Sequence, residues 1–189
     1  MAGIAASCCK LTKLKIKNSE HITDESLCAV FQACQHLTLV SLEKCSLITD
    51  RALTTLVQCR AGLKFLMLSD NTLLTERFVA ASLAVPSLEL LSITRMPVTD
   101  DSMVLLSQHC ARLTSVYFTD CDLLTIRTFK SFIDNCNNLH ILAVHSTQVK
   151  RTQEMEEYLQ SSDIKKKLND GLCIYFDLYY FSKHSWGGY

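Results

Sequence analysis

The stretch LTLVSLEKCSLITDRALTTLVQC, residues 37–59, holds one complete structural unit and decides the fold. Side chains alternate across an extended strand, so Val40 and Leu42 share one face while Leu39, Ser41 and Glu43 take the other. Cys45 turns inward where the strand ends, a place for a small group that can satisfy loop backbone. Ile48-Thr49-Asp50 then reads as a helix start. The Thr hydroxyl can cap free N–H groups, and a first-turn carboxylate favours the positive end of the helix dipole. Leu53 and Leu56 give the helix one apolar side, and Cys59 marks its end.

The same unit recurs on both sides. LTKLKI, LTLVSL, LKFLML, LELLSI, LTSVYF and LHILAV begin at Leu11, Leu37, Leu63, Leu88, Leu113 and Leu139, at intervals of 26, 26, 25, 25 and 26 residues. Self-similarity at such a period is the mark of a solenoid, in which each unit buries its apolar face only against its neighbours. The rest of each unit keeps phase. Eight residues after the first Leu stand Ser19, Cys45, Asn71, Met96, Cys121 and Thr147. An apolar residue and Thr follow as Ile22-Thr23, Ile48-Thr49, Leu74-Thr75, Val98-Thr99 and Leu124-Thr125, and Asp24, Asp50, Glu76 and Asp100 come next in four of the five. Helices are expected to end at Cys34, Cys59, Cys110 and Cys136, with Val85 in that place in the third unit. Gly62 and Pro86 fall in the turns beyond them.

This pattern resembles the cysteine-containing class of leucine-rich repeats, L-x-x-L-x-L-x-x-C-x-x-I-T-D-x-x-L-x-x-L-x-x-x-C, known from F-box/LRR proteins and their relatives without an F-box. Residues 37–59 are its closest match, and the resemblance covers about residues 11–150. It implies an α/β leucine-rich-repeat solenoid, with a curved parallel sheet on the concave face and helices on the convex face. No L-P-x-E-hydrophobic start of an F-box is visible. The resemblance implies a non-catalytic protein–protein interaction module that recognises substrates for a Skp–cullin ubiquitin ligase, or a relative that regulates such a pathway. The alternative is a structural scaffold subunit of a large assembly, such as a ciliary regulatory complex.

Composition fits a packed, neutral chain. Of 189 residues, 48% are hydrophobic, and 19 basic residues balance 19 acidic ones. That balance removes the usual electrostatic reason to expect nucleic acid or an anionic membrane as partner. The N-terminal MAGIAASCCKLTKLKIK has no signal-peptide h-region, and no run approaches the roughly 18 apolar residues that span a bilayer. A cytoplasmic chain is expected, with nuclear or ciliary placement as alternatives. The ten cysteines contain no C-x-x-C pair, and six of them occupy two repeated columns. Small buried hydrophobes, reduced in the cell, explain them better than disulfides or zinc. No cofactor and no metal is expected.

Candidate binding residues follow from strand parity. The third, fifth and seventh positions of each unit face the concave side. The third column is Lys13, Leu39, Phe65, Leu90, Ser115, Ile141; the fifth is Lys15, Ser41, Met67, Ser92, Tyr117, Ala143; the seventh is Lys17, Glu43, Ser69, Thr94, Thr119, His145. Leu39, Phe65, Met67, Leu90, Tyr117 and Ile141 form a partner-binding apolar patch, and Lys13, Lys15 and Lys17 form a basic stripe beside it. Six strands about 4.8 Å apart make a face roughly 25 Å across, the size of a helix or extended peptide. The competing reading is that a loop, the C-terminal tail or a neighbouring subunit covers the patch. The lysines can meet an acidic segment or phosphate, or serve as a solvated edge that deters pairing.

Nothing in the chain spells catalysis. No glycine-rich phosphate loop, G-x-S-x-G or H-E-x-x-H occurs. His145 and Cys121 on neighbouring strands invite a Cys/His pair, but Cys121 belongs to the inward column. At the ends, residues 1–10 read as the remnant of a preceding repeat helix, since Cys8 precedes Leu11 as Cys34 precedes Leu37. Such an opening exposes an apolar end and fits a truncated chain, a short isoform or a chain that leans on a partner. Residues 151–189 read as a cap: one helix over 153–168, a strand over 172–181 added to the sheet, and a loose SKHSWGGY.

Overall fold

The structure, a computed structural model, describes residues 10–59, 62–82, 85–145 and 153–176. The expected helix remnant before residue 10, Thr147, and the tail beyond residue 176 lie outside the described residues. Strand and helix alternate from the start: β1 Lys13–Ser19, α1 Asp24–Ala33, β2 Leu39–Cys45, α2 Asp50–Cys59, β3 Phe65–Ser69, α3 Arg77–Ser82, β4 Leu90–Thr94, α4 Asp100–His109, β5 Ser115–Thr119, α5 Ile126–Asn135 and β6 Ile141–His145. Two helices, α6 Gln153–Leu159 and α7 Ser162–Asn169, lead to β7 Cys173–Phe176.

All seven strands form one open parallel sheet in sequence order. Parallel crossovers of constant hand put every helix on the same side. Helices about 10 Å wide stacked behind strands about 4.8 Å apart make the sheet the inner, concave side. This is a leucine-rich-repeat solenoid. The register joins repeats at identical positions: Lys13, Leu39, Phe65, Leu90, Ser115 and Ile141 are successive partners, ending at Cys173. At the strand entrances the carbonyl of each second position accepts two N–H groups from the next repeat. Thr38 O takes Lys64 N and Phe65 N, and Lys64 O takes Glu89 N and Leu90 N.

The repeat leucines form a continuous core. Leu37, Val40, Leu42, Leu63, Leu66, Leu68, Leu91, Ile93, Leu113, Val116 and Phe118 are buried against Phe31, Leu53, Leu56, Phe78, Leu106, Phe129 and Phe132 from the helices. Leu11 and Ile16, in the first repeat, are only half-buried. Cys34, Cys45, Cys110, Cys121 and Cys136 are buried thiols outside any disulfide and Cys59 is half-buried, so both cysteine columns are structural positions.

The C-terminal segment differs from the single expected helix. Ser161 is extended (φ −61°, ψ 149°) and breaks residues 153–168 into α6 and α7. Both helices belong to the outer layer, where Met155 and Ile164 are buried in the common core. Tyr158 Oη donates to Asp134 at 2.9 Å, Lys130 pairs with Glu154 at 2.9 Å, and the Lys167 ammonium donates to the Ile133 carbonyl near the end of α5. Gly171, at φ +104°, supplies the left-handed turn that ends α7 and releases the chain into β7. There Phe176 stacks on Phe129 at 5.3 Å. No helix among the described residues is long and apolar enough to cross a membrane.

Candidate functional site

The inner face of the sheet brings the predicted columns together, since strand partners match third position to third and fifth to fifth throughout. Depth separates the residues. Leu39 and Leu90 retain only 1% and 6% of their exposure and form floor rather than contact surface. Phe65, Met67, Tyr117 and Ile141 are half-buried and offer the accessible apolar surface. In the register Leu39 lies between Lys13 and Phe65, and Leu90 between Phe65 and Ser115.

The basic stripe is confined to one end. Lys13, Lys15 and Lys17 are exposed on β1. Lys17 pairs with Glu43 on β2 at 2.9 Å while keeping 65% of its side chain in solvent. Over the three inner columns of β1 to β6 these are three lysines against one glutamate, and every other position is formally neutral when His145 is neutral. One end of the face is basic and its middle is apolar.

Around this face run two ladders that strand parity alone does not reveal. The first joins helix starts. The Asp24 carboxylate accepts from Thr49 N (2.8 Å) and Thr49 Oγ1 (2.5 Å) of the following repeat. Asp50 holds Thr75 in the same way, Glu76 holds Thr99 Oγ1, and Asp100 holds Thr125 N, Thr125 Oγ1 and Thr128 Oγ1. Thr49 Oγ1 caps its own helix through Arg51 N and Thr125 Oγ1 through Arg127 N, while the preceding repeat's acid fixes each hydroxyl. Burial raises the Asp100 carboxyl, but its bonds from Thr125 and Thr128 outweigh that, so it ionises below the usual carboxylate range. α3 departs from this plan, beginning two residues after Thr75, although Arg77 N still donates to Thr75 Oγ1.

The second ladder lies where strands exit. Asn18, Lys44, Asp70, Arg95 and Asp120 all adopt left-handed backbone with φ between 49° and 54°. Arg95 grips Asp70 with two bonds, Nε to Oδ1 at 2.5 Å and Nη2 to Oδ2 at 2.6 Å, and reaches Asp120 Oδ2 with Nη1 at 3.2 Å. The Arg95 guanidinium holds the Asp70 carboxyl below its ordinary value, and Asp70 in turn raises Arg95. The available signal was positional: these residues share the eighth place of each repeat.

The inward column beside it carries Asn71, 1% exposed, which ties two repeats together. Its Oδ1 accepts from Cys45 N at 3.0 Å and its Nδ2 donates to Leu42 O at 2.9 Å. Cys121 uses its thiol in the same direction, toward Ile93 O at 3.6 Å and Thr119 O at 3.5 Å. Burial pushes this thiol up to about 11, which disfavours its thiolate form at neutral pH. Among the described residues no group of three or more His, Cys, Asp or Glu is placed to hold a metal ion.

No family model matches the chain, and no curated protein matches it. Among solved structures, the tropomodulin C-terminal domain of Caenorhabditis elegans is similar with a TM-score of 0.44 and 15% identity, over 89% of this chain and 92% of that one. That likeness adds nothing to what the strands and helices already define.

Proposed function

We propose that the chain is a non-catalytic protein-interaction module that holds a partner protein against the concave face of its sheet. The observation that carries this reading is the half-buried set Phe65 and Met67 on β3, Tyr117 on β5 and Ile141 on β6, which share the inner face of the sheet with the buried Leu39 and Leu90. Clustered apolar side chains on such a surface mark interaction sites more often than they mark chance exposure. Lys13, Lys15 and Lys17 at one end suit an acidic stretch of the same partner, where charge speeds encounter and sets orientation more than it adds affinity. The finer assignment, a substrate-recognition unit like those of F-box/LRR receptors or their relatives without an F-box, rests on the cysteine and Ile-Thr-Asp columns best seen in residues 37–59.

The test is affinity purification with mass spectrometry, comparing the wild type with Phe65→Asp and with the convex-face control Gln108→Glu. Proteins enriched by the wild type and the control are expected to fall at least about tenfold with Phe65→Asp. An unchanged partner set with Phe65→Asp, in a variant whose melting curve matches the wild type, would overturn the reading.

A further inference from the structure

The exit rim of the sheet carries more than the ladder of left-handed residues. Large exposed hydrophobics are few among the described residues, and three of the four sit at one repeat position: Leu47, Leu73 and Leu123, exposed to 45%, 48% and 56%. Each lies three residues after a ladder residue, Lys44, Asp70 and Asp120 respectively. In the fourth repeat, whose turn is one residue shorter, the exposed Pro97 follows Arg95. The rim therefore presents two parallel rows. One is apolar, Leu47, Leu73, Pro97 and Leu123. The other alternates in sign, Lys44 positive, Asp70 negative, Arg95 positive and Asp120 negative.

A row of four charges that reads plus, minus, plus, minus is complementary to its own reverse. Two identical rims facing each other about a two-fold axis that crosses the row between Asp70 and Arg95 place Lys44 against Asp120 of the other copy and Asp70 against Arg95. The same rotation lays the apolar row on its counterpart, Leu47 opposite Leu123 and Leu73 opposite Pro97. The parallel arrangement faces like charge with like. Isologous pairing of this kind is the ordinary geometry of a homodimer. Arg95 has capacity for it, because three bonds to Asp70 and Asp120 engage three of its five N–H donors.

We propose that this rim is a docking surface for a second copy of the chain, which pairs antiparallel to it and leaves both concave faces open. The rim spans four repeats, about 14 Å from Lys44 to Asp120 at a strand spacing of about 4.8 Å. It is smaller than the roughly 800 Å² per partner of a standard interface. The dimer is therefore weak, forming at about 10–100 µM.

Sedimentation equilibrium of the full chain from about 1 to 500 µM tests this, with charge exchange as the discriminating step. Lys44→Asp alone and Asp120→Lys alone are each expected to weaken association about tenfold, since each sets like charges together twice across the two-fold axis. The Lys44→Asp/Asp120→Lys double variant is expected to restore it. The two positions are three repeats apart within one molecule, so mutual rescue reports contact between molecules. Leu73→Asp is expected to weaken association as well. A chain that stays monomeric over the whole range overturns the proposal. So does a dimer that the double variant fails to restore, or one that Phe65→Asp abolishes while the rim variants leave it intact.

Discussion

Asn71 offers the sharpest energetic test of how the repeats are joined. It is buried, and its amide bonds both Cys45 N and Leu42 O of the preceding repeat. Asn71→Ala removes both bonds and strands a backbone donor and a backbone acceptor in the core. An orphaned buried polar group costs about 1–3 kcal/mol, so the pair is worth about 2–6 kcal/mol together. That is a large part of the 5–15 kcal/mol typical of a folded domain. Asn71→Cys, which installs the side chain found at Cys45 and Cys121, is expected to lose less, because a thiol fits the column and bonds weakly to carbonyls there. Urea unfolding followed by circular dichroism measures both, and hydrogen exchange at the Cys45 amide localises the effect. The expected order is wild type, then Cys, then Ala, with faster exchange at Cys45 in the Ala variant. An Ala variant within about 0.5 kcal/mol of wild type would refute the reasoning, since surface-like indifference is incompatible with two buried bonds.

Other predictions concern charge, thiols and the core. The Asp100 carboxyl is depressed in the folded state, so its contribution is full above the unfolded value near 4 and is lost as pH falls through the lower folded value. The stability gap between wild type and Asp100→Asn is expected to be about 1 kcal/mol at pH 7 and to close below about pH 4, as urea midpoints across pH will show. Burial raises the thiols of Cys110 and Cys121 to about 11 and that of Cys136 to about 12. Peptide mapping after brief iodoacetamide treatment is expected to find exposed Cys173 alkylated at least about 100-fold faster than these three, and all four equally in denaturant. Phe132→Ala, in a fully buried ring packed on Phe118 at 5.5 Å, is expected to cost about 3–5 kcal/mol in the same unfolding assay.

Periodicity made most of this architecture legible before any coordinates. A leucine that returns every 25 or 26 residues fixes which side chains share a strand face, and the observed register from Lys13 to Ile141 follows that phase without slip. Parity, however, states direction and not depth, so Leu39 and Leu90 read as contact residues although they are buried. The acid–threonine ladder was half visible. Asp24 and Thr49 both looked like helix-start residues of their own repeats, and only stacking shows that a carboxylate one repeat earlier holds the next threonine. Arg95 escaped notice because its position is defined by a left-handed backbone angle, which a cationic residue does not announce as Gly or Asn does. The break between α6 and α7 had a local signal in Ser161-Ser162-Asp163, a capping sequence obscured by the amphipathic pattern around it.

Site-specific photocrosslinking tests the central claim most directly. A benzophenone amino acid placed at Tyr117 or Met67 on the concave face, and at Gln108 on the outer face of α4, reports which surface touches another protein in cells. The account predicts that the two concave positions capture the same protein and that position 108 does not. Capture from position 108 alone, or no adduct from either concave position when partners still co-purify, would contradict it.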